Sequence, residues 1–409
     1  MDLITARKKL ETYGQEHLLR YYDTLTEAEK ASLLSEIEAT DFSVLEAFGK
    51  ASEAALPDQK FEPLPAVTIA EIAAREEEFR EAGLKAIREC RTGAVLLAGG
   101  QGTRLGFDHP KGMYNMGLTK DLYIFECHIK QLLKVSEEAG ALIPLYVMTS
   151  DLNHEETVAF FKEHAYFGYD PAFIRFFRQD MAPCTDLQGK VLMKSRSSLV
   201  LSPNGNGGWF HSLKNAGLLE DVHAKGIEYL SVFAVDNVLQ NIQDPCFVGA
   251  TVLSGVNDGA MVVSKAEPLE RIGVICKRNG RPSVVEYYEI TEDMKTLRDE
   301  NGTLLYNYGV ILNYLFKVSK LEEIVDMKMP VHMAEKKIPY MAEDGTFVKP
   351  EEPNGLKYEL LVVDMVELTD TCLPFEVDRK KAFAPVKNAV GVDSVESARE
   401  LLRLNGVEL

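Results

Sequence analysis

The sequence has no apolar run approaching the ~18 residues that a membrane-crossing helix requires. Its opening, Met1-Asp2-Leu3-Ile4-Thr5-Ala6-Arg7-Lys8-Lys9, carries no secretory apolar core. A cytoplasmic protein with no membrane partner is expected. Positive charge is scarce: 45 Lys and Arg stand against 63 Asp and Glu, a formal net charge of −18. Nucleic-acid binding draws on counterion release by clustered cations, so no nucleic-acid partner is expected either. The six cysteines, Cys90, Cys127, Cys184, Cys246, Cys276 and Cys372, contain no C-x-x-C pair, and the eight histidines form no metal-spaced cluster or nucleophile triad. This argues against a zinc site or a disulfide framework and makes the cysteines small core residues in a reducing compartment. Internal repeats, low-complexity tracts and long linkers are missing as well.

What is present is a globular composition, 46% hydrophobic over 409 residues, enough for one large core with appended elements or for two to three domains. Residues 1–90 read as helical. Leu3, Ile4, Leu10, Tyr13, Leu18 and Leu19 recur roughly at helical spacing, Thr26-Glu27-Ala28-Glu29 is a capping box, and Thr68-Ile69-Ala70-Glu71 is another, opening a helix to about Cys90 after a proline-bearing stretch from Leu56-Pro57 to Pro65. From Ala94 onward apolar strands alternate with amphipathic helices, the pattern of a mostly parallel α/β sheet. Strands are expected at 94–98, 145–148, 173–177 and 229–235. Helices are expected at 122–138, closed by Gly140, after polar caps at Thr149-Ser150-Asp151, and over the last residues from Ser394. Asn279-Gly280 between two apolar runs signals a hairpin.

The chain is organised around Val95-Leu96-Leu97-Ala98-Gly99-Gly100-Gln101-Gly102-Thr103-Arg104-Leu105-Gly106, continued by Pro110-Lys111-Gly112. A buried strand opens directly into a glycine cluster followed by two cations. Glycine lets the backbone approach a polyphosphate and turn its N–H groups inward, while Arg104 and Lys111 supply charge that amide dipoles cannot. The dinucleotide fingerprint G-x-G-x-x-G fails because its third position is Leu105, which disfavours a nicotinamide dehydrogenase. The ATPase P-loop fails because Lys111 stands between Pro110 and Gly112 with no Ser or Thr to hold a metal. Ligands of open α/β sheets gather at the carboxyl ends of strands, where Gly99, Gln179 and Asp236 are expected. A strand-end carboxylate facing a phosphate loop suits Mg²⁺, so Asp236 is the candidate metal ligand. Pro203-Asn204-Gly205-Asn206-Gly207-Gly208 is a second glycine-rich loop, whose backbone amides could face a flat base and its ribose.

Residues 97–106 and 110–114 closely resemble the nucleotide loop of the UDP-sugar pyrophosphorylase family, in its N-acetylglucosamine branch. The resemblance extends to Phe177-Arg178-Gln179-Asp180-Met181, to Pro203–Gly208, to Val235-Asp236-Asn237, to Val284-Val285-Glu286-Tyr287-Tyr288-Glu289-Ile290, to Pro353–Glu359 and to Pro385-Val386-Lys387-Asn388-Ala389. It implies a Rossmann-like α/β fold with a mixed, mostly parallel sheet, similar to that of GT-A enzymes. Around it stand a helical region (1–90), a central nucleotidyltransferase domain (91–345) and a small C-terminal region (346–409). It implies UTP held by Leu97, Ala98, Gly99, Gly100, Gly102, Thr103, Gln179, Pro203, Gly205, Asn206 and Gly207, the Gln179 amide reading the uracil edge. Sugar contacts fall to Asn206, Glu286, Gly309 and Lys357, Mg²⁺ to Asp236, and phosphate neutralisation to Arg104, Lys111 and Lys387. The implied activity is uridylyl transfer from UTP to a sugar 1-phosphate, N-acetylglucosamine 1-phosphate first. Glucose or galactose 1-phosphate stays open because Val310 stands where amino-sugar enzymes carry an asparagine. A UDP-sugar-binding regulatory protein is the alternative of another class.

Overall fold

In the computed structural model of the protein, residues 1–48 and 59–409 are described. Leu56 and Pro57 of the expected proline-bearing stretch lie outside them. Both capping boxes form. Thr26 accepts from the Glu29 N–H while the Glu29 carboxylate takes the Thr26 N–H, starting Glu27–Ala39. Thr68 and Glu71 do the same for Ile69–Ala74. The single helix expected from there to Cys90 is two, because Arg75 leaves helical geometry at φ −123°, ψ 19° and Glu76–Arg88 starts afresh. The new direction lets that helix cross Pro245–Ser254 glycine on glycine: a Cβ on Gly83 would lie 1.9 Å from the Pro245 carbonyl oxygen, and one on Gly249 1.8 Å from that of Phe79. Near the N-terminus the helix Leu3–Thr12 stops before Gly14, whose φ is +64°, and Leu18 and Leu19 belong to a separate 3₁₀ turn, Glu16–Leu19.

The central sheet has ten strands: β1 (Phe61–Pro63), β2 (Thr92–Leu97), β3 (Leu145–Thr149), β4 (Ile174–Arg178), β5 (Tyr229–Ala234), β6 (Asp258–Ser264), β7 (Val274–Arg278), β8 (Arg281–Val285), β9 (Tyr308–Lys317) and β10 (Cys372–Glu376). Its main order is β1-β7-β9-β5-β2-β3-β4, with β6 branching from β9 to β10 and β8 pairing β7. The half carrying β5, β2, β3 and β4 is parallel, and every residue of β2 and β3 is buried, as near-continuous apolar runs require. The other half is largely antiparallel, built on β9, a strand that the alternation does not announce. The hairpin forms with Asn279 at φ +52° and Gly280 at φ +84°. The helix after the glycine loop is Ile124–Ala139, closed by Gly140 at φ +71°. The helix His154–Glu163 is preceded by Asn153 rather than by the expected cap at 149–151, because Thr149 is the last residue of β3. The last helix is Val395–Leu404, capped by Ser394.

The chain falls into two compact units. The larger gathers Gln59–Gln179, Trp209–Met327 and Val362–Leu409, and the smaller Met1–Asp58 (described to residue 48), Asp180–Gly208 and Lys328–Leu361. Their edges differ from breaks at 90 and 345, because pairing in space joins strands distant in sequence. In the smaller unit Gly355–Glu359 pairs with both His332–Lys336 and Thr185–Asp186, and Leu356 and Tyr358 pack with Leu10, Leu33 and Leu199. All six cysteines are free. No helix among the described residues is long and apolar enough to cross a membrane.

Candidate active site

Register places four strand ends of the larger unit at one level. Leu97 is opposite both Ala234 and Met148, and Met148 is opposite Phe177. Two residues further along each strand stand Gly99, Asp236, Ser150 and Gln179, so the sheet presents them in the spatial order Asp236, Gly99, Ser150, Gln179 along its carboxyl edge. A Cβ on Gly99 would lie 2.4 Å from Gln179 Oε1 and 3.7 Å from Ser150 Cβ, which confirms the neighbours. Gln179 is buried, and its N–H donates to the Thr149 carbonyl at 2.8 Å.

The glycine loop is folded onto itself. Gln101 bridges Pro110, the Gly102 N–H donates to the His109 carbonyl at 2.9 Å, and the Lys111 N–H donates to that of Gly100 at 3.1 Å. Thr103 and Arg104 lie exposed on a 3₁₀ turn, Thr103–Leu105, that Gly106 ends at φ +69°. The Ala98 N–H donates to the Met148 carbonyl at 2.8 Å, and Asn153 Nδ2 donates to the Ala98 carbonyl at 3.0 Å. Gly102 has to be small, since a Cβ would meet Phe107 at 2.8 Å. Gly100 does not: a Cβ there would meet nothing within 4 Å, and its φ is outside the left-handed region.

Charge converges on Lys111. Its ammonium is half-buried, and desolvation holds its pKa below the ordinary lysine value; the Asp236 carboxylate opposes that shift, while Arg104 and Lys387 add to it. Residues 104, 111, 236 and 387 are therefore electrostatic neighbours although they come from three regions of the chain. Asp236 follows β5, and its carbonyl accepts from the Val386 N–H at 2.8 Å. Asn237 bridges Pro385, its Oδ1 accepting from the Ala384 N–H at 2.8 Å and its Nδ2 donating to the Ala382 carbonyl at 2.8 Å. These bonds lash the segment bearing Lys387 beside Asp236. Among the described residues no group of three His, Cys, Asp or Glu side chains could hold a metal. The donor set is one hard, partly exposed carboxylate among cations, which fits an ion completed by phosphate oxygens and water and does not fit an all-protein cage.

Glu286 and Gly309 lie on the β9 side of Asp236. Phe233 of β5 is opposite Asn313 of β9, so residues 309–311 run past the end of β5. The Glu286 carboxylate is close to Gly273, 3.5 Å from where a Cβ would stand, and the Val310 N–H donates to the Gly273 carbonyl at 2.9 Å. Gly309 makes room for Ile272, which a Cβ would approach to 2.5 Å. A cavity of ≈ 450 Å³ between residues 268–271 and 287–295 borders this corner without including any of the candidate residues.

Pro203, Gly205, Asn206, Gly207 and Lys357 belong to the smaller unit. There the glycines serve packing. Gly205 has φ +90°, and a Cβ would stand 2.3 Å from the Leu360 carbonyl oxygen; one on Gly207 would stand 2.7 Å from Leu361. The Gly207 N–H donates to the Leu360 carbonyl at 2.8 Å, a bond within the unit. Pro203 pairs with Met181, and Lys357 lies on Gly355–Glu359 opposite Ala334.

Three residues that sequence reasoning passed over support the site. Asn153 holds Ala98, and its Oδ1 accepts from the Ser150 N–H at 2.8 Å. His128 is fully buried on the helix after the loop, its Nε2 bonded to the Val235 carbonyl at 2.9 Å next to Asp236, and burial pushes its pKa down to about 4. Its only sequence signal was a histidine in an apolar stripe. Asp393 holds Lys387 at 3.1 Å.

The family described as UTP–glucose-1-phosphate uridylyltransferase matches residues 43–403. The chain is 38% identical over 424 residues to UDP-N-acetylglucosamine diphosphorylase 2 of Arabidopsis thaliana, covering 97% of this chain and 83% of that protein. It is 37% identical over 421 residues to UDP-N-acetylhexosamine pyrophosphorylase-like protein 1 of Homo sapiens, again covering 97% and 83%. Among solved structures it is similar to the uridine diphosphate N-acetylglucosamine pyrophosphorylase of Trypanosoma brucei in complex with inhibitor, with a TM-score of 0.83 at 28% identity over 97% of this chain and 84% of that one.

Proposed function

The chain belongs to the UTP–glucose-1-phosphate uridylyltransferase family, and from that premise we propose that it transfers the uridylyl group of UTP to N-acetylglucosamine 1-phosphate, giving the UDP-sugar and pyrophosphate. The observation that carries this reading is the gathering of Arg104, Lys387 and the Asp236 carboxylate around a desolvated Lys111. In an acidic protein such a concentration of cations has a polyanion as its natural occupant. The spatial order also supports it. Strands are ~4.8 Å apart, so Asp236 and Gln179, three strands from each other, are separated by roughly 14 Å, a span suited to a nucleotide with its base at Gln179 and its phosphates toward Asp236.

The sugar phosphate has a second pKa near ~6 and is largely dianionic at neutral pH, so it needs no general base. Its oxygen attacks the α-phosphorus of UTP in line, the bond from that phosphorus to the bridging oxygen breaks, and pyrophosphate leaves with the electron pair. What opposes the step is the approach of anions, so the residues act by positioning and neutralising charge. Arg104 and Lys111 serve the triphosphate and the departing pyrophosphate, and Lys387 serves the incoming phosphate. The backbone of Leu97–Thr103 lines the phosphates, and Glu286 and Gly309 face the sugar. Asp236 would hold Mg²⁺, which supplies a further positive charge at the phosphates. The free cysteines support a cytoplasmic setting for this reaction.

The test is to incubate the protein with UTP, Mg²⁺ and, in turn, N-acetylglucosamine, glucose and galactose 1-phosphates, and to quantify UDP-sugar. Formation of UDP-N-acetylglucosamine at the highest kcat/KM is expected. Preference for glucose or galactose 1-phosphate would move the assignment within the family, the alternative that Val310 leaves open. UDP-sugar binding without turnover would make the protein a non-catalytic regulator.

A further inference from the structure

Asp393 has φ +53°, in the left-handed region that aspartate and asparagine tolerate better than most residues. That conformation turns both its polar groups onto Lys387. Its carbonyl accepts from the N–H of Lys387 at 2.7 Å and from that of Asn388 at 3.0 Å, while its carboxylate accepts from Lys387 Nζ at 3.1 Å. The clamp has a firm base. Ser394, the next residue, caps the helix Val395–Leu404, and Ala398 and Leu402 of that helix are buried in the main core. Residues between the two ends of the clamp are exposed, with Val390 and Val392 at its tip. On the other flank, the Val386 N–H donates to the Asp236 backbone carbonyl at 2.8 Å, so the backbone on both sides of Lys387 is fixed.

We infer that Asp393 is a positioning residue for the uridylyl transfer: it keeps the Lys387 ammonium extended and aimed so that the incoming sugar phosphate meets a preset cation. The inference rests on the reading of Lys387 as a phosphate contact. A lysine stem is rich in rotamers, and fixing it before substrate arrives removes an ordering cost from the transition state. The two bonds from the Lys387 and Asn388 N–H groups to the Asp393 carbonyl hold the backbone from which the stem projects, and the carboxylate holds its ammonium.

The experiment is a double-mutant cycle on the full chain with Asp393→Gly and Lys387→Ala, together with Asp393→Asn. Glycine retains the left-handed backbone and the carbonyl bonds and removes only the carboxylate. Asp393→Gly is expected to lower kcat about 10-fold with the KM for UTP little changed, Asp393→Asn to recover part of the loss, and Asp393→Gly to cost nothing further once Lys387 is alanine. An equal loss from Asp393→Gly in both backgrounds, or wild-type kcat in Asp393→Gly while Lys387→Ala is impaired, would overturn the inference alone. Wild-type kcat in Lys387→Ala would overturn it together with the phosphate role of Lys387. Circular dichroism and thermal unfolding of each variant separate these outcomes from misfolding.

Discussion

Replacing Gly100 by alanine separates what the fold needs of the glycine loop from what a ligand needs. A Cβ at Gly100 meets nothing within 4 Å and the backbone is not left-handed, so the folded protein accepts it. The stability change should lie within about 0.5 kcal/mol, or favour alanine by about 0.4–1 kcal/mol through the unfolded chain. A phosphate drawn to the backbone N–H groups sits ~2.9 Å from them, and an added methyl displaces it by about 1 Å. Misplacement of that size costs on the order of 10² in kcat/KM, about 2.7 kcal/mol of transition-state stabilisation. Gly99→Ala is the contrast. Its Cβ would lie 2.4 Å from Gln179 Oε1, so the end of that side chain has to move, and activity should fall with a stability loss of no more than about 1 kcal/mol. Pyrophosphate release measured against UTP concentration, with thermal unfolding of the same preparations, gives both quantities. Gly100→Ala within threefold of wild type would refute the claim that phosphate packs against this backbone.

Asp236→Asn and Lys111→Ala should each lower kcat/KM by about 10²–10³, because each removes a charge set at the phosphates; turnover near wild type in both would contradict the proposed site. Lys9 Nζ donates to the carbonyls of Ile37, Glu38 and Thr40 at 2.9, 2.9 and 2.8 Å, closing the helix Glu27–Ala39. Lys9→Met should therefore cost about 1–3 kcal/mol in urea unfolding with kcat unchanged, and an unmoved midpoint would refute the capping role. Asp258 is buried beside Thr369, whose hydroxyl donates to it, and burial pushes its pKa up to about 7 from 3.8. The folded state then keeps a proton that the unfolded chain releases, so this contribution to stability falls as pH rises from about 4 to about 7, by on the order of 1 kcal/mol per pH unit, and is flat above. Asp258→Asn should flatten that slope; an identical pH profile of unfolding in both proteins would refute it.

The parts of the fold legible in the sequence are those fixed by short-range chemistry. Thr26 with Glu29 and Thr68 with Glu71 announce helix starts, Asn279-Gly280 announces a turn with two positive φ values, and the apolar run into Gly99 announces a strand feeding a loop. The strand ends carrying Gly99, Gln179 and Asp236 were legible because each follows a buried run directly. What was not legible depends on partners far along the chain. The approach of Lys387 to Asp236 is set by Asn237 and Val386, the break at Arg75 by the crossing of Gly83 and Gly249, and the need for Gly205 and Gly207 by Leu360 and Leu361. That each unit gathers segments distant in sequence is likewise a property of pairing in space. His128 shows only as a histidine in an apolar stripe, and Asp393 not at all, until the Val235 carbonyl and the Lys387 ammonium are found against them.

Isotope exchange between labelled pyrophosphate and UTP tests the proposed reaction most directly. Label should enter UTP only when Mg²⁺ and a sugar 1-phosphate are both present, and exchange should fall by about 10² or more in Lys111→Ala. Full exchange in Lys111→Ala, or none in the wild-type protein with any of the three sugar phosphates, would contradict it.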